Sequence, residues 1–193
     1  MFAEHDAAID TASNFSGGVS NGGMFVQRLA IEHAEIFAGV ASIISSILEP
    51  LQDGFQPSMP VSVLFINGTD DPFVPYDGGE VTINLFPNVL PRKPQPSRGQ
   101  VLSTDESIRL WRKRNGIGRP SVSAHVPDLE PQDGAVGRIK TYADGERGTC
   151  VSLYKVVGGD HTISGDSKFI SPKRYFRQHL YRFRCHRSDM GVL

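Results

Sequence analysis

A short glycine and serine pattern constrains the fold of this 193-residue chain more than any other feature. Residues 18–22 read Gly-Val-Ser-Asn-Gly, which matches G-x-S-x-G. This pattern is typical of a serine on a sharp turn between a strand and a helix, with its hydroxyl exposed. Glycines flank such a serine because a side chain would clash in so tight a turn. The pattern therefore predicts that Ser20 is a nucleophile, although a glycine-rich turn that merely contains a serine would read the same way.

Two later segments supply the acid and the base that a nucleophilic serine needs. The apolar run at residues 61–66 is followed by Asp70 and Asp71, and a second run at residues 151–157 is followed by His161. Both runs are short and end in a turn signal, so we predict buried strands of a parallel sheet. Open α/β sheets build their sites just past the C-terminal ends of such strands. The chain order Ser, Asp, His is that of the α/β-hydrolases.

Three separated motifs carry a resemblance to a known family. Residues 18–24 read GVSNGGM, residues 67–79 read NGTDDPFVPYDGG, and residues 158–162 read GGDHT shortly after a Leu-Tyr pair. The chain resembles the polyhydroxybutyrate depolymerase and feruloyl esterase family, whose members commonly read G-x-S-N-G-G-M, H-G-T-x-D-x-x-V-P-Y-x-G-G and G-G-G-H-T-W-P-G at these places. The resemblance covers roughly residues 14 to 165.

The resemblance implies a serine carboxylesterase with a catalytic triad. Ser20 is the expected nucleophile, His161 is the base that takes its proton, and Asp71 is the acid that orients the imidazole. Asp70 is the immediate competitor of Asp71 for the last role. The family spacing G-x-x-D, counted from Gly68, favours Asp71.

The oxyanion of the tetrahedral intermediate needs hydrogen-bond donors. The backbone N–H of Asn21, the residue after the nucleophile, is the first expected donor. The second donor of this fold comes from the loop after strand 3. We expect that loop to be absent from the chain. Because losing one donor lowers the rate on the order of 100-fold or more, we expect weak activity unless another group substitutes.

The sequence predicts one α/β domain over residues 1–193, an α/β-hydrolase fold that is N-terminally truncated relative to the family. Several strands precede the nucleophile in the complete fold, whereas this serine stands at position 20. The strands present would be strands 5–8 of the family, which are neighbours in one mostly parallel sheet flanked by helices. The first of these strands would have an unpaired edge, and such edges recruit another chain. We therefore expect a homo-oligomer.

Periodicity predicts the elements around the nucleophile. A helix is expected over residues 22–34, with Phe25 and Leu29 on its apolar face and Met24, Arg28 and Ile31 alongside. A buried strand is expected over residues 37–44. Proline-rich residues 82–100 lack periodicity and are predicted to form a loop.

Capping signals at both ends predict a second helix. Ser103 and Glu106 form a capping-box signature at its start, and Asn115-Gly116 closes it. Residues 117–150 are expected to form a strand or two with long loops. A further helix is predicted from Pro172.

Composition argues against several classes of partner. A net charge of −1 gives no overall attraction to nucleic acid. No apolar stretch approaches 18 residues, so no membrane span is expected. The basic residues between 168 and 187 are interleaved with aromatic ones, which we interpret as a solvated helix face rather than a nucleic-acid surface. The N-terminus does not resemble a signal peptide, yet relatives are often secreted, so location stays open.

The cysteines and the remaining histidines suggest no metal and no cofactor. Cys150 and Cys185 could pair in principle. In relatives the cysteine at position 150 often pairs with one after a W-x-x-R-N-G segment, where this chain has Ile117, so we expect free thiols. His179, Cys185 and His186 could be considered as metal ligands, but nothing near them resembles the paired C-x-x-C framework of a zinc site, so no metal is expected.

The resemblance also implies the substrates. They would be small-molecule or polymeric esters: short acyl esters, feruloyl or acetyl groups on plant polysaccharide, or a polyester such as polyhydroxybutyrate. Residues 162–165 read Thr-Ile-Ser-Gly where relatives have T-W-P-G, so an aromatic wall of the pocket is expected to be lost. The alternatives are a hydrolase-like domain with little or no catalysis, acting as an interaction module, and a serine peptidase.

Overall fold

The structure, a computed structural model, describes residues 14–82, 97–119, 121–128, 132 and 134–162. All positions and contacts below refer to these residues. In chain order the elements are β1 (Phe15–Val19), α1 (Asn21–Glu32), β2 (Gly39–Ile43), β3 (Ser62–Gly68), β4 (Gly79–Glu80), β5 (Gln100–Val101), α2 (Thr104–Arg114), β6 (Val122–His125), β7 (Val136–Tyr142) and β8 (Val151–Val157).

A six-stranded sheet with the strand order β1-β2-β3-β8-β7-β6 organises these elements. The first four strands in this order are parallel to one another, while β7 and β6 are antiparallel to their neighbours. A mostly parallel sheet with helices is an α/β fold, as the sequence predicted. Since parallel strands end at one edge, the residues after β1, β3 and β8 are brought to the same place.

The core lies between the parallel strands and the two helices. Every residue of β2 is buried, which explains why its sequence lacks an alternating polar face. Trp111 of α2 is fully buried, and its ring meets that of Phe55 edge-on at 5.0 Å. Its indole N–H donates to the side-chain oxygen of Gln27 in α1 at 2.7 Å. This bond joins the two helices within the core.

The apolar face of α1 differs from the predicted one. Its buried side chains are Met24, Val26, Gln27, Ala30 and Ile31, whereas Phe25 is 58% exposed. Leu29 is only partly buried. The expectation that Phe25 and Leu29 mark the core face was therefore wrong. A single i, i+4 pair does not define a face when a longer stripe of residues competes for it.

Both ends of α2 confirm the predicted caps, but only one half of the capping box forms, because the carboxylate of Glu106 accepts hydrogen bonds from the side chain of Arg109 instead. The hydroxyl of Ser103 accepts a hydrogen bond from the backbone N–H of Glu106 at 3.1 Å. Asn115 follows the last helical residue, and Gly116 has a φ of +67°. The buried side chain of Asn115 also bonds to both backbone polar groups of Val61, at 3.2 and 2.8 Å. The end of α2 is thereby attached to the segment that enters β3.

The predicted loop over residues 82–100 is only partly correct. Gln100 belongs to β5, which pairs with β4 in a separate antiparallel ribbon. Residues 83–96 lie outside the described residues. The helix predicted from Pro172 and the basic segment between 168 and 187 also lie outside them.

The cysteine prediction needs a correction. Cys150 is disulfide-bonded, so the expectation of a free thiol was wrong for this residue. Loss of the partner that relatives use does not prevent a different pairing. Cys185 lies outside the described residues. In the described part of the chain, no helix has the length and apolar character needed to cross a membrane.

Candidate active site

Ser20 stands on a sharp turn between β1 and α1 with φ 54° and ψ −122°. A residue other than glycine rarely adopts such a φ, and this backbone conformation costs about 1–3 kcal/mol. Hydrogen bonds to neighbouring elements hold the turn. The N–H of Ser20 donates to the carbonyl of Ile43 at 2.8 Å, and its own carbonyl accepts from the N–H of Gly23 at 2.8 Å. The serine is therefore fixed above the C-terminal edge of the sheet.

The glycines of the pattern have different roles. A Cβ atom on Gly18 would overlap the backbone carbonyl of Gly22, so glycine is required at position 18. A Cβ atom on Gly22 would have no described atom within 4 Å. The steric argument made from the sequence is thus correct for Gly18 and wrong for Gly22. The residue of this pattern that has a positive φ is Ser20, not one of the two glycines.

Asp71 follows β3 and is held in one orientation. Its side chain is only 1% exposed. One carboxylate oxygen, Oδ1, accepts hydrogen bonds from the backbone N–H groups of Phe73 and Val74, at 2.8 and 2.9 Å. The other oxygen, Oδ2, lies 2.7 Å from Nδ1 of His161. The loop after β3 therefore directs one oxygen of the acid toward the histidine.

His161 joins the acid to the serine. Its Nε2 lies 2.9 Å from the hydroxyl oxygen of Ser20. Because an ionised carboxylate only accepts hydrogen bonds, Nδ1 carries the proton that is donated to Asp71. Nε2 of a neutral imidazole is then an acceptor for the Ser20 hydroxyl proton. This arrangement can transfer the serine proton to the histidine.

The structure thus brings Ser20, Asp71 and His161 together. It places the competing acid, Asp70, on the surface, where its carboxylate accepts a hydrogen bond from the hydroxyl of Thr69 at 2.7 Å. Asn21 is the first residue of α1. The N–H groups of a first helical turn have no partner within the helix, and they lie at the positive end of its dipole. The backbone N–H of Asn21 is therefore placed as a helix N-terminal donor beside Ser20.

A buried polar network beneath the site was missed by the sequence analysis. Asn67, at the end of β3, bonds to the backbone N–H and carbonyl of Ser45 at 3.1 and 3.0 Å, and to the hydroxyl of Thr104 at 2.9 Å. The Ser45 hydroxyl lies against Gly23, where a Cβ atom would overlap it. Asn67 therefore connects the strand that carries the acid to the turn that carries the nucleophile. One feature of the sequence could have singled out Asn67: it stands where the family motif H-G-T-x-D has histidine.

Aromatic side chains adjoin the acid loop. The ring of Phe73 meets that of His161 edge-on at 5.1 Å. The side chain of Phe73 also packs on an apolar cluster that includes Met24, Val74 and Val101. Tyr76 is buried, and burial raises the pKa of its phenol, with Asp105 and Asp77 acting in the same direction. Tyr76 therefore remains uncharged at neutral pH.

Within the described ranges, no group of three or more His, Cys, Asp and Glu side chains could hold a metal ion. The histidine and cysteine residues near 179–186 lie outside these ranges. The same is true of residues 163–165, where relatives carry the W-P-G part of the T-W-P-G segment. Thr162, the last described residue, is exposed and donates its hydroxyl to Asp160 at 2.6 Å.

Comparison with known proteins identifies relatives that are named esterases. The putative esterase NocK of Nocardia uniformis subsp. tsuyamanensis is 31% identical over 159 residues, which are 82% of this chain and 44% of NocK. Feruloyl esterase C of Emericella nidulans is 34% identical over 83 residues, 43% of this chain and 30% of that protein. Feruloyl esterase B of Piromyces equi is 26% identical over 165 residues, 84% of this chain and 27% of that protein.

The chain thus spans less than half the length of these relatives. No family model matches it. The names of these relatives bear out the expected resemblance to feruloyl esterases, while the resemblance to polyhydroxybutyrate depolymerases remains a prediction.

Proposed function

Because the chain belongs to a feruloyl esterase-like family, we propose that it is a serine carboxylesterase that acts through an acyl-enzyme on Ser20. The chief support is the continuous contact from Ser20 through His161 to Asp71, with distances of 2.9 and 2.7 Å. Serine hydroxyl is a poor nucleophile until a base takes its proton. In this arrangement a base is within hydrogen-bond distance and is itself oriented by a carboxylate.

In the first half of the proposed reaction, the Ser20 hydroxyl oxygen attacks the ester carbonyl carbon while its proton passes to Nε2 of His161. The carbonyl oxygen becomes an oxyanion, which the N–H of Asn21 stabilises. The resulting imidazolium is stabilised by Asp71. It then gives its proton to the departing alcohol oxygen as the carbon–oxygen bond breaks. The acyl group remains on Ser20 as an ester.

In the second half, water takes the place of the alcohol. His161 accepts a proton from the water as its oxygen attacks the acyl carbon. Collapse of the second tetrahedral intermediate breaks the bond to Ser20, whose oxygen recovers the proton from His161. The products are a carboxylic acid and the free enzyme, so the triad returns to its starting state.

We further propose that β1, β2, β3 and β8 correspond to strands 5 to 8 of the α/β-hydrolase sheet. Their spatial order and parallel direction support this correspondence. So does the position of each site residue, since Ser20 follows β1, Asp71 follows β3 and His161 follows β8. The nucleophile, acid and histidine occur in this order in hydrolases of that fold.

The proposed substrates are esters with a feruloyl or a short acyl group, and hydroxyalkanoate polyesters are a further candidate. The partly exposed ring of Phe73 beside His161 favours an apolar acyl group near the reacting atoms. Names of the relatives favour the feruloyl group among these.

The decisive experiment measures hydrolysis of p-nitrophenyl acetate, p-nitrophenyl butyrate and methyl ferulate by the purified protein. Ser20→Ala should reduce hydrolysis to the background rate. Ser58→Ala, which changes an exposed serine bonded to Glu35, is the matched control and should retain activity. A folded protein that hydrolyses none of these esters, or a fully active Ser20→Ala variant, would contradict the proposal. The first of these outcomes would favour an interaction module.

A further inference from the structure

The loops that carry Asp71 and His161 contact each other before either side chain reaches the site. Strands β3 and β8 are parallel neighbours, with Gly68 opposite Val156 at the end of the pairing. Two backbone bonds extend the pairing beyond the strands. The N–H of Thr69 donates to the carbonyl of Val156, and that of Asp70 donates to the carbonyl of Gly159, both at 2.9 Å.

The hydroxyl of Thr69 adds a side-chain connection between the same loops. It accepts a hydrogen bond from the N–H of Gly158 at 2.9 Å and donates one to Oδ1 of Asp70 at 2.7 Å. A hydroxyl has one hydrogen and two lone pairs, whereas a carboxylate only accepts. Asp70 therefore fixes the direction of the hydroxyl hydrogen. A lone pair of the oxygen then remains for Gly158.

The loops are also too close to admit a side chain at their contact. A Cβ atom on Gly68 would overlap the carbonyl group of Gly159. Gly158 has a φ of +79°, a conformation that favours glycine. Small residues thus permit the approach, while the Thr69 hydroxyl adds a side-chain bond to the two backbone bonds that hold the loops together.

We propose that Thr69 is a positioning residue for the site, and that Asp70 acts through it. This inference rests on the proposed esterase function. His161 follows Gly158 by three residues, so a displacement of Gly158 moves the imidazole relative to Asp71. A misplacement of about 1 Å can reduce the rate of an enzyme by about 100-fold. The Thr69 hydroxyl keeps Nδ1 of His161 facing Oδ2 of Asp71.

The test compares Thr69→Val, which removes the hydroxyl and keeps the shape, with Thr69→Ser, which keeps the hydroxyl. We expect the valine variant to lose about 10- to 100-fold in kcat with KM nearly unchanged, because alignment rather than binding is affected. The serine variant should stay within about threefold of the wild type. Asp70→Ala should fall between the two.

A control separates positioning from general destabilisation. Thr141→Val removes a hydroxyl that bonds to Ser152 between β7 and β8. It should leave kcat unchanged even where it lowers the thermal midpoint as much as Thr69→Val. Equal loss of kcat in the valine and serine variants, or a wild-type kcat in Thr69→Val, would overturn the inference.

Two further measurements do not depend on turnover. The proton between His161 and Asp71 should give a downfield NMR resonance in the wild type and Thr69→Ser, and it should broaden or disappear in Thr69→Val. The Gly158 amide should exchange faster with solvent in Thr69→Val. If the wild type lacks esterase activity, these readouts still test the role of Thr69. An unchanged resonance and unchanged exchange in Thr69→Val would refute it, whatever the activity.

Discussion

Nδ1 of His161 lies 2.7 Å from Oδ2 of Asp71, although 90 positions separate the two residues in the chain. The contact arises because β3 and β8 are neighbours in the sheet and each residue follows its strand closely. The backbone N–H groups of Phe73 and Val74 occupy the other carboxylate oxygen. The acid therefore has one oxygen reserved for the histidine.

This arrangement predicts different effects of the same substitution at the two adjacent acids. Asp71→Asn should lower kcat by about 10³- to 10⁴-fold, because an amide cannot hold the required imidazole tautomer or stabilise the imidazolium. Asp70→Asn should change kcat by less than about threefold, because its amide oxygen still accepts from Thr69. Steady-state kinetics on p-nitrophenyl butyrate measures both. A similar loss in both variants would leave the acid unassigned.

A serine-directed fluorophosphonate should label the protein at Ser20. Phosphonylation requires that a base take the serine proton, so His161→Ala should label at least about 100-fold more slowly. Mass spectrometry of the labelled peptide locates the site. The His33→Ala variant serves as a control, since His33 is exposed and faces Glu35 at the end of α1. Labelling that is independent of His161 would contradict base activation.

The two glycines of the serine pattern should respond differently to alanine. Gly18→Ala places a methyl group against the Gly22 carbonyl, and we expect the free energy of unfolding to fall by about 1–3 kcal/mol, as in other overpacked sites. The methyl group of Gly22→Ala meets no atom of the described residues, and this change within α1 should stabilise the protein by up to about 1 kcal/mol. Urea denaturation measures both. Equal destabilisation would show that the turn excludes side chains at both positions.

Self-association through β1 remains a proposal. Among the described residues β1 pairs only with β2, and its Phe15 side chain is 44% exposed. Unpaired strand edges recruit other chains, so we expect a homo-oligomer in light scattering at micromolar concentration. Phe15→Lys should shift the protein toward monomer. Val122→Lys, at the opposite edge strand β6, should not. A monomeric wild type would refute the proposal.

Two elements, β8 and the start of α2, were predicted correctly because each depends on residues that are close together in the sequence. The last parallel strand was expected at residues 151–157, and β8 has these bounds. An apolar run that ends at Gly158 leaves little freedom in placing such a strand. The start of α2 was equally predictable, because Ser103 caps the helix by bonding within its own first turn.

Features that depend on distant neighbours were not predictable. The exposure of Phe25 reflects which side of α1 meets the sheet, and the freedom at Gly22 reflects how the turn leaves β1. The bonds of Asn67 to Ser45 and of Thr69 to Gly158 exist only once β3 lies beside its neighbours. Without the strand order, both residues read as ordinary polar residues at the end of a strand.

The separation of the site residues along the chain also bears on folding. Ser20 reaches His161 across 141 positions, whereas the turn that carries Ser20 is bonded to Ile43 of β2, only 23 positions away. Contacts between distant segments carry a larger loop-closure cost and form slowly. During refolding, the helical signal of α1 should therefore recover before the proposed esterase activity does. In a nascent or partly unfolded chain, the turn with Ser20 would form before His161 reaches it. Such a chain would not be able to hydrolyse esters until β8 had paired with β3.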